Sequence, residues 1–248
     1  ASISVVDISN PSLPVQIATT SVGTNPFYVF VSGRYAYVAN YGSASISVVD
    51  ISNPKYPKEI ATAAVGANPL ALYVSGRYAY VANYGPDTIS VVDISNPQAP
   101  VQIATVAVGS NPYNVFVSGR YAYVANNGSA SISVIDISNP SLPVQIATTS
   151  VGANPDSIYV SGRYAYVANE GPDTISVVDI SNPASPSEVA TVAVGLNPFD
   201  VYVSGRYAYV TNQGGSGSMS IVDISSSTAP VAITTNITVG IAPYHIYV

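Results

Sequence analysis

The 248-residue chain has no cysteine, no tryptophan and a single histidine. Without cysteine there is neither a disulfide framework nor a thiolate metal site, and the absence is neutral about compartment. Charge is scarce: 8% of residues are Asp, Glu, Lys or Arg, against about 25% in ordinary globular domains. Basic residues number 7 against 13 acidic ones, for a net charge of −6, which argues against nucleic acid as a partner. No apolar run approaches the roughly 18 residues of a spanning helix, so membrane insertion is not expected. Helical periodicity is missing too, and Pro or Gly interrupts the chain about every ten residues. The sequence opens at Ala1 in mid-repeat, with neither Met nor a signal-peptide pattern, and is expected to be a processed chain or an excised segment. What is present is 48% hydrophobic residues and 20 tyrosines. Tyrosine takes the amphipathic surface role that charge usually fills.

One stretch, Asn25 to Ile51 (NPFYVFVSGRYAYVANYGSASISVVDI), recurs through the chain. The signature SGRYAYV starts at Ser32, Ser75, Ser118, Ser161 and Ser204, at steps of 43 residues. A second signature places aspartates at Asp7, Asp50, Asp93, Asp136, Asp179 and Asp223. A fixed period of this length marks a solenoid, propeller or array, and an array counts as one domain, residues 1–248. Each period holds four short patterns rich in Val, Ile, Tyr and Thr, read as strands over Phe27–Val31, Arg34–Ala39, Ile46–Ile51 and, in the first repeat, Val15–Ser21. Ser32-Gly33 makes a tight hairpin link. N-x-G-S/P joins strands two and three, S-N-P-x-x-P joins three and four, and V-G-x-N-P leads to the next strand one.

Ile46 and Val48 point to one face of strand three, and Val49 and Ile51 to the other. Apolar residues on both faces suit a sheet covered on both sides, as in the radially stacked four-stranded blades of a β-propeller. A β-solenoid is the rival, although its coils are usually shorter. The expected fold is therefore all-β, a six-bladed propeller of antiparallel strands. Five complete blades begin near Phe27, Leu70, Tyr113, Asp156 and Phe199. The sixth is composite, built from Ser2–Ser21 and Pro243–Val248, and lacks one strand, the equivalent of SGRYAYVAN. Excision from a longer protein, a three-stranded defect, or a strand donated by another chain would each account for the gap.

The units resemble LVIVD repeats, a β-propeller family of secreted and surface proteins. The resemblance lies in ISVVDISNP (Ile46–Pro54) followed by VSGRYAYVAN (Val74–Asn83), and it extends over essentially every residue. The units are also similar to the YVTN repeats of archaeal surface-layer proteins, through YVAN and the YVTN at Tyr209–Asn212. The resemblance implies the fold and an extracellular or cell-surface location. It implies no catalytic motif, and a fold alone does not set an activity.

Two sets of residues stand out. The first is a repeated pair: Arg34/Asp50, Arg77/Asp93, Arg120/Asp136, Arg163/Asp179 and Arg206/Asp223. A register that sets Asp50 opposite Ala36 leaves Arg34 diagonal to it, in reach of a bidentate ion pair. Five identical copies point to a structural lock rather than catalysis. Asp7 has no such Arg and should be solvated or paired differently. The second set is where the repeats differ. Each Asn-Pro or Ala-Pro is followed by a different pair: Phe27-Tyr28, Leu70-Ala71, Tyr113-Asn114, Asp156-Ser157, Phe199-Asp200 and Tyr244-His245. The loop between strands two and three varies at Tyr41, Tyr84, Asn127, Glu170 and Gln213. In a propeller both loops lie at the mouth of the channel, and variation there reads as a binding surface, with drift at exposed loops as the plain alternative.

That face carries Asp87, Asp156, Glu170, Asp173 and Asp200 with no Lys or Arg, and the opposite face carries the five Arg with Lys55 and Lys58. Acid with aromatic rims such as Tyr28, Tyr41, Tyr84, Tyr113 and Tyr244 suits cations, amines, polyols, sugars or peptides. A calcium site from Asp156 and Asp200 is conceivable, but no metal-ligand spacing, catalytic triad order or phosphate loop appears, and no metal or cofactor is expected. No carboxylate is spaced along the chain to partner His245, so it reads as a plain rim residue. The expectation is a non-enzymatic module that binds a protein or carbohydrate ligand. One alternative is a building block that binds copies of itself head to tail or by strand donation. The other is a propeller hydrolase or lyase, and a His or carboxylate constellation converging near His245 would point to it.

Overall fold

The computed structural model describes all residues, 1–248. It contains strands and two single 3-10 turns, Tyr41–Ser43 and Asn127–Ser129, and no helix long and apolar enough to cross a membrane. Contacts divide the chain into two compact units.

The first unit, Ala1–Val106 with Pro140–Leu142, contains β1 (Ser2–Asp7) and β2 (Val15–Ser21), which form a two-stranded sheet. A four-stranded sheet follows, made of β3 (Pro26–Ser32), β4 (Tyr35–Asn40), β5 (Ser45–Asp50) and β6 (Lys58–Ala64). The next comprises β7 (Pro69–Ser75), β8 (Tyr78–Asn83), β9 (Thr88–Asp93) and β10 (Val101–Ala107), which runs to the unit boundary. The second unit, Ala107–Asn139 with Pro143–Val248, holds three more such sheets. The first is β11 (Pro112–Ser118), β12 (Tyr121–Asn126), β13 (Ser131–Asp136) and β14 (Val144–Ser150). The second is β15 (Pro155–Ser161), β16 (Tyr164–Asn169), β17 (Thr174–Asp179) and β18 (Ser187–Ala193). The third is β19 (Pro198–Ser204), β20 (Tyr207–Asn212), β21 (Ser218–Asp223) and β22 (Val231–Thr238).

Every sheet is an antiparallel meander of consecutive strands, and within each unit the first strands of successive four-stranded sheets lie side by side. The fold is a β-propeller, and its blades are these sheets. Strand three shows why they stack. Ile46 and Val48 pack with Leu72, Val74 and Val81 of the following sheet, while Val49 and Ile51 pack with Ala36, Val38, Ile3 and Val22 on the other side. Burial on both faces accounts for the lack of apolar–polar alternation.

Each repeat also carries a polar lock. Asn40 is fully buried, and its Nδ2 donates to Ser47 Oγ at 2.8 Å and Ser45 Oγ at 3.2 Å. Asn83, Asn126, Asn169 and Asn212 repeat the arrangement. The glycine of each V-G step leaves room for that asparagine: a Cβ on Gly66 would lie 2.6 Å from Asn83 Cγ.

Three expectations are corrected here. Asp50 pairs with Tyr35, not Ala36, because Arg34 belongs to the hairpin turn and the strand starts one residue later. Arg34 still reaches Asp50, Nη2 to Oδ2 at 2.6 Å, and stacks over the Tyr35 ring with its Cζ 5.2 Å from the centroid. Pro243–Val248, expected as a strand of a composite sixth blade, has no strand conformation, and β1–β2 stands as a two-stranded sheet. Side chains hold this segment in place of a ladder: Thr211 Oγ1 donates to the Tyr244 carbonyl, and Asp200 accepts from the Ile246 amide.

Candidate functional site

The variable residues sit where strand one opens. In every complete blade the residue before Pro takes a left-handed conformation, at φ 48° to 55° for Asn25, Asn68, Asn111, Asn154 and Asn197. The ladder then skips one residue. Pro155 pairs with Asn169 and Ser157 with Ala168, so Asp156 is bulged out. Tyr113 and Phe199 are bulged in the same way, as are Phe27 and Leu70. A bulge re-aims a side chain, which lets two consecutive residues both serve one end of the sheet instead of alternating across it. The loop between strands two and three joins this end through Glu170 N to Asn154 O, 2.9 Å, and Gln213 N to Asn197 O, 2.8 Å.

In the first unit the variable positions are mostly structural. Leu70 and Ala71 are buried, and Tyr28 packs on the core cluster that contains Leu72. Phe27 is partly exposed, and Tyr41 and Tyr84 donate backbone N–H bonds to Asn25 and Asn68. The second unit instead gathers polar and aromatic side chains. Ser157 Oγ donates to Asp200 Oδ1 at 2.6 Å. The other oxygen, Asp200 Oδ2, accepts from Ile246 N at 3.1 Å and faces His245 Nδ1 at 3.3 Å. Thr211 Oγ1 accepts from Asp200 N at 3.0 Å and donates to the Tyr244 carbonyl at 3.1 Å. These contacts hold the terminal segment in place without a ladder, and the Tyr202–Tyr247 ring contact at 5.0 Å adds to them.

His245 therefore has the carboxylate partner that chain spacing did not suggest. Ser157 and Asp200 occupy the same repeat position 43 residues apart, and His245 follows 45 residues later. A one-repeat offset is adjacency in this fold, and that was the available signal. Asn114 holds the same position one repeat earlier.

Next to this chain lies Asp156, 6% exposed, which accepts from Asn127 Nδ2 at 2.7 Å. Burial pushes its carboxyl up to about 7, the charge of Glu170 adds to the rise, and the Asn127 hydrogen bond opposes it. Glu170 Oε1 accepts from Asn197 Nδ2 at 3.3 Å, and Asp173 Oδ1 from Asn197 N at 2.7 Å. Phe199 touches Tyr113 edge-on at 5.9 Å, Tyr244 at 4.9 Å and His245 at 5.9 Å. The result is a buried carboxyl, an Asp–His pair and an aromatic wall at one end of the sheets.

The ion pairs occupy the other end, at the turn between strands one and two. Arg120–Asp136, Arg163–Asp179 and Arg206–Asp223 close at 2.6, 2.7 and 2.5 Å, and Arg77–Asp93 at 3.4 Å. Asp7, with no Arg, accepts from Ser9 N at 2.9 Å.

Solved structures with the same fold include a candidate 6-phosphogluconolactonase from Bacteroides uniformis. It is 16% identical, with a TM-score of 0.83, over 94% of this chain and 77% of that one. A second from Bacteroides fragilis is 19% identical, with a TM-score of 0.80, over 94% and 76%. The periplasmic gluconolactonase of Pseudomonas aeruginosa is 21% identical, with a TM-score of 0.80, over 94% and 76%. No curated protein sequence matches the chain. The expectation of a non-enzymatic module is corrected by these findings. These three similar propellers bear hydrolase names, and Asp200 supplies the constellation at His245 on which the hydrolase alternative depended. The LVIVD repeat model matches residues 1–20, 28–64, 71–108, 111–149, 153–194 and 198–238. These six matches span nearly the whole chain, and five of them contain SGRYAYV, so this chain belongs to the LVIVD-repeat family.

Proposed function

We propose that the chain is a propeller hydrolase that opens a sugar-derived lactone outside the cytoplasm. The observation that carries the reading is Asp200 holding His245 Nδ1 at 3.3 Å, with Asp200 itself fixed by Ser157 and the Ile246 amide. A carboxylate can only accept, so Nδ1 carries the proton and Nε2 is the nitrogen that takes one. His245 keeps 42% of its side chain exposed, which leaves access for water and substrate. The gluconolactonase named among the similar propellers, periplasmic by its description, supports both the reaction class and the compartment.

In the proposed reaction His245 Nε2 removes a proton from water as the oxygen bonds to the lactone carbonyl carbon. Collapse of the tetrahedral intermediate breaks the bond from that carbon to the ring oxygen. The leaving oxygen takes the proton from the imidazolium and becomes a hydroxyl. The acid formed releases a proton to solvent, which gives the aldonate. Asp200 is a positioning residue that fixes tautomer and ring orientation, and Phe199 and Tyr244 give a flat apolar wall for the carbohydrate ring.

The test is pH-stat titration of δ-gluconolactone hydrolysis at pH 7. The wild-type chain should exceed the spontaneous rate, and His245→Ala should lose at least about 100-fold in kcat. A wild-type rate equal to that of buffer would end the proposal.

A further inference from the structure

Resting on the lactone-hydrolase reading, we infer that this site takes an uncharged, unphosphorylated lactone and turns away its phosphate ester. Phosphate is held by Arg or Lys side chains, or by the free amides of a helix N-terminus. The second unit has three Arg and no Lys. All three Arg are paired with carboxylates at the opposite end of their sheets. Strands of six to seven residues put that end about 20 Å away at about 3.3 Å per residue, well beyond a screening length of about 8 Å. The structure has no α-helix, and the one 3-10 turn in this unit spans three residues, Asn127–Ser129.

At the site itself the ionisable side chains other than His245 and tyrosine are Asp156, Glu170, Asp173 and Asp200. A phosphate monoester brings about −1.5 to −2 charges into that field. Asp156 is already driven toward its neutral form by burial and by Glu170, and another anion would add to the same repulsion. A neutral polyol faces no such penalty. Asn127, Ser157 and the carboxylates offer donors and acceptors for its hydroxyls, and Tyr113, Phe199 and Tyr244 cover its C–H face. Hydrolysis then turns a neutral substrate into a carboxylate, which the same charges push out.

The experiment compares δ-gluconolactone with 6-phospho-δ-gluconolactone by pH-stat. In parallel, isothermal titration compares δ-gluconolactam, a neutral mimic that resists hydrolysis, with its 6-phosphate. We expect at least a 100-fold preference, about the size that like-charge juxtaposition produces, in kcat/KM and in Kd for the unphosphorylated forms. Glu170→Lys should narrow the preference, and Glu170→Gln should narrow it less. Equal or better use of the phosphate ester, or no lactam binding, would overturn the inference. Selective lactam binding without lactone turnover would uphold the ligand class and sink the hydrolase reading alone.

Discussion

Asp156 gives the sharpest stability test. It is 6% exposed, and its carboxyl is raised from the ordinary 3.8 to about 7, by burial first and by Glu170 second. A raised carboxyl means that the native state holds a proton that the unfolded chain has lost, from about pH 4 to about pH 7. Stability falls as pH rises through that window, and the loss is complete above the folded value. A change of this size corresponds to about 4 kcal/mol at full burial, and local relaxation brings the expected loss to about 2–4 kcal/mol. Asp156→Asn removes the titration and keeps an oxygen for Asn127 Nδ2. Urea unfolding at pH 4.5 and pH 8.5, followed by tyrosine fluorescence, reads the effect directly. The variant should match wild type at the lower pH and exceed it at the higher. Parallel pH profiles for the two proteins would show that Asp156 is not a buried, strained carboxyl, and the reasoning would fail.

Other outcomes follow from single contacts. Gly66→Ala places a Cβ 2.6 Å from Asn83 Cγ, whose amide is pinned by Ser90 and Thr88, and should cost about 1–3 kcal/mol. Gly76→Ala meets open space at φ +59° and should cost only about 1 kcal/mol; a matching loss of Tm in both would contradict the packing account. Glu170→Gln should lower the Asp156 pKa in an NMR titration, since the Glu170 charge helps to raise it. Asp136 is held at about 2 by Ser138 first and Arg120 after it. Its contribution is present above about pH 4 and lost as pH falls toward 2, so Arg120→Ala should move acid unfolding to higher pH. An unchanged acid midpoint would mean that the pair is idle.

The blade was legible because its chemistry repeats. SGRYAYV recurs every 43 residues, a V/I-V/I-D-I-S segment keeps nearly the same step, and Ile46/Val48 against Val49/Ile51 announces a sheet buried on two faces. The failures have physical reasons. Arg34 looks like part of a strand, yet the turn claims it, and the pairing shifts by one residue. The bulges that send Asp156 and Phe199 to the same end as Ser157 and Asp200 leave no mark in composition. Asp200 and His245 are far apart along the chain and touch because equivalent positions of successive repeats are neighbours in space. Burial of Asp156 depends on what surrounds it, and no local pattern reports that.

The most direct measurement is the pH-stat rate on δ-gluconolactone for Asp200→Asn beside an exposed control, Glu188→Gln, with circular dichroism to verify the fold. The account predicts that Asp200→Asn loses at least about 100-fold in kcat with KM little changed, while Glu188→Gln keeps the wild-type rate. A folded Asp200→Asn variant that hydrolyses the lactone as fast as wild type would contradict it.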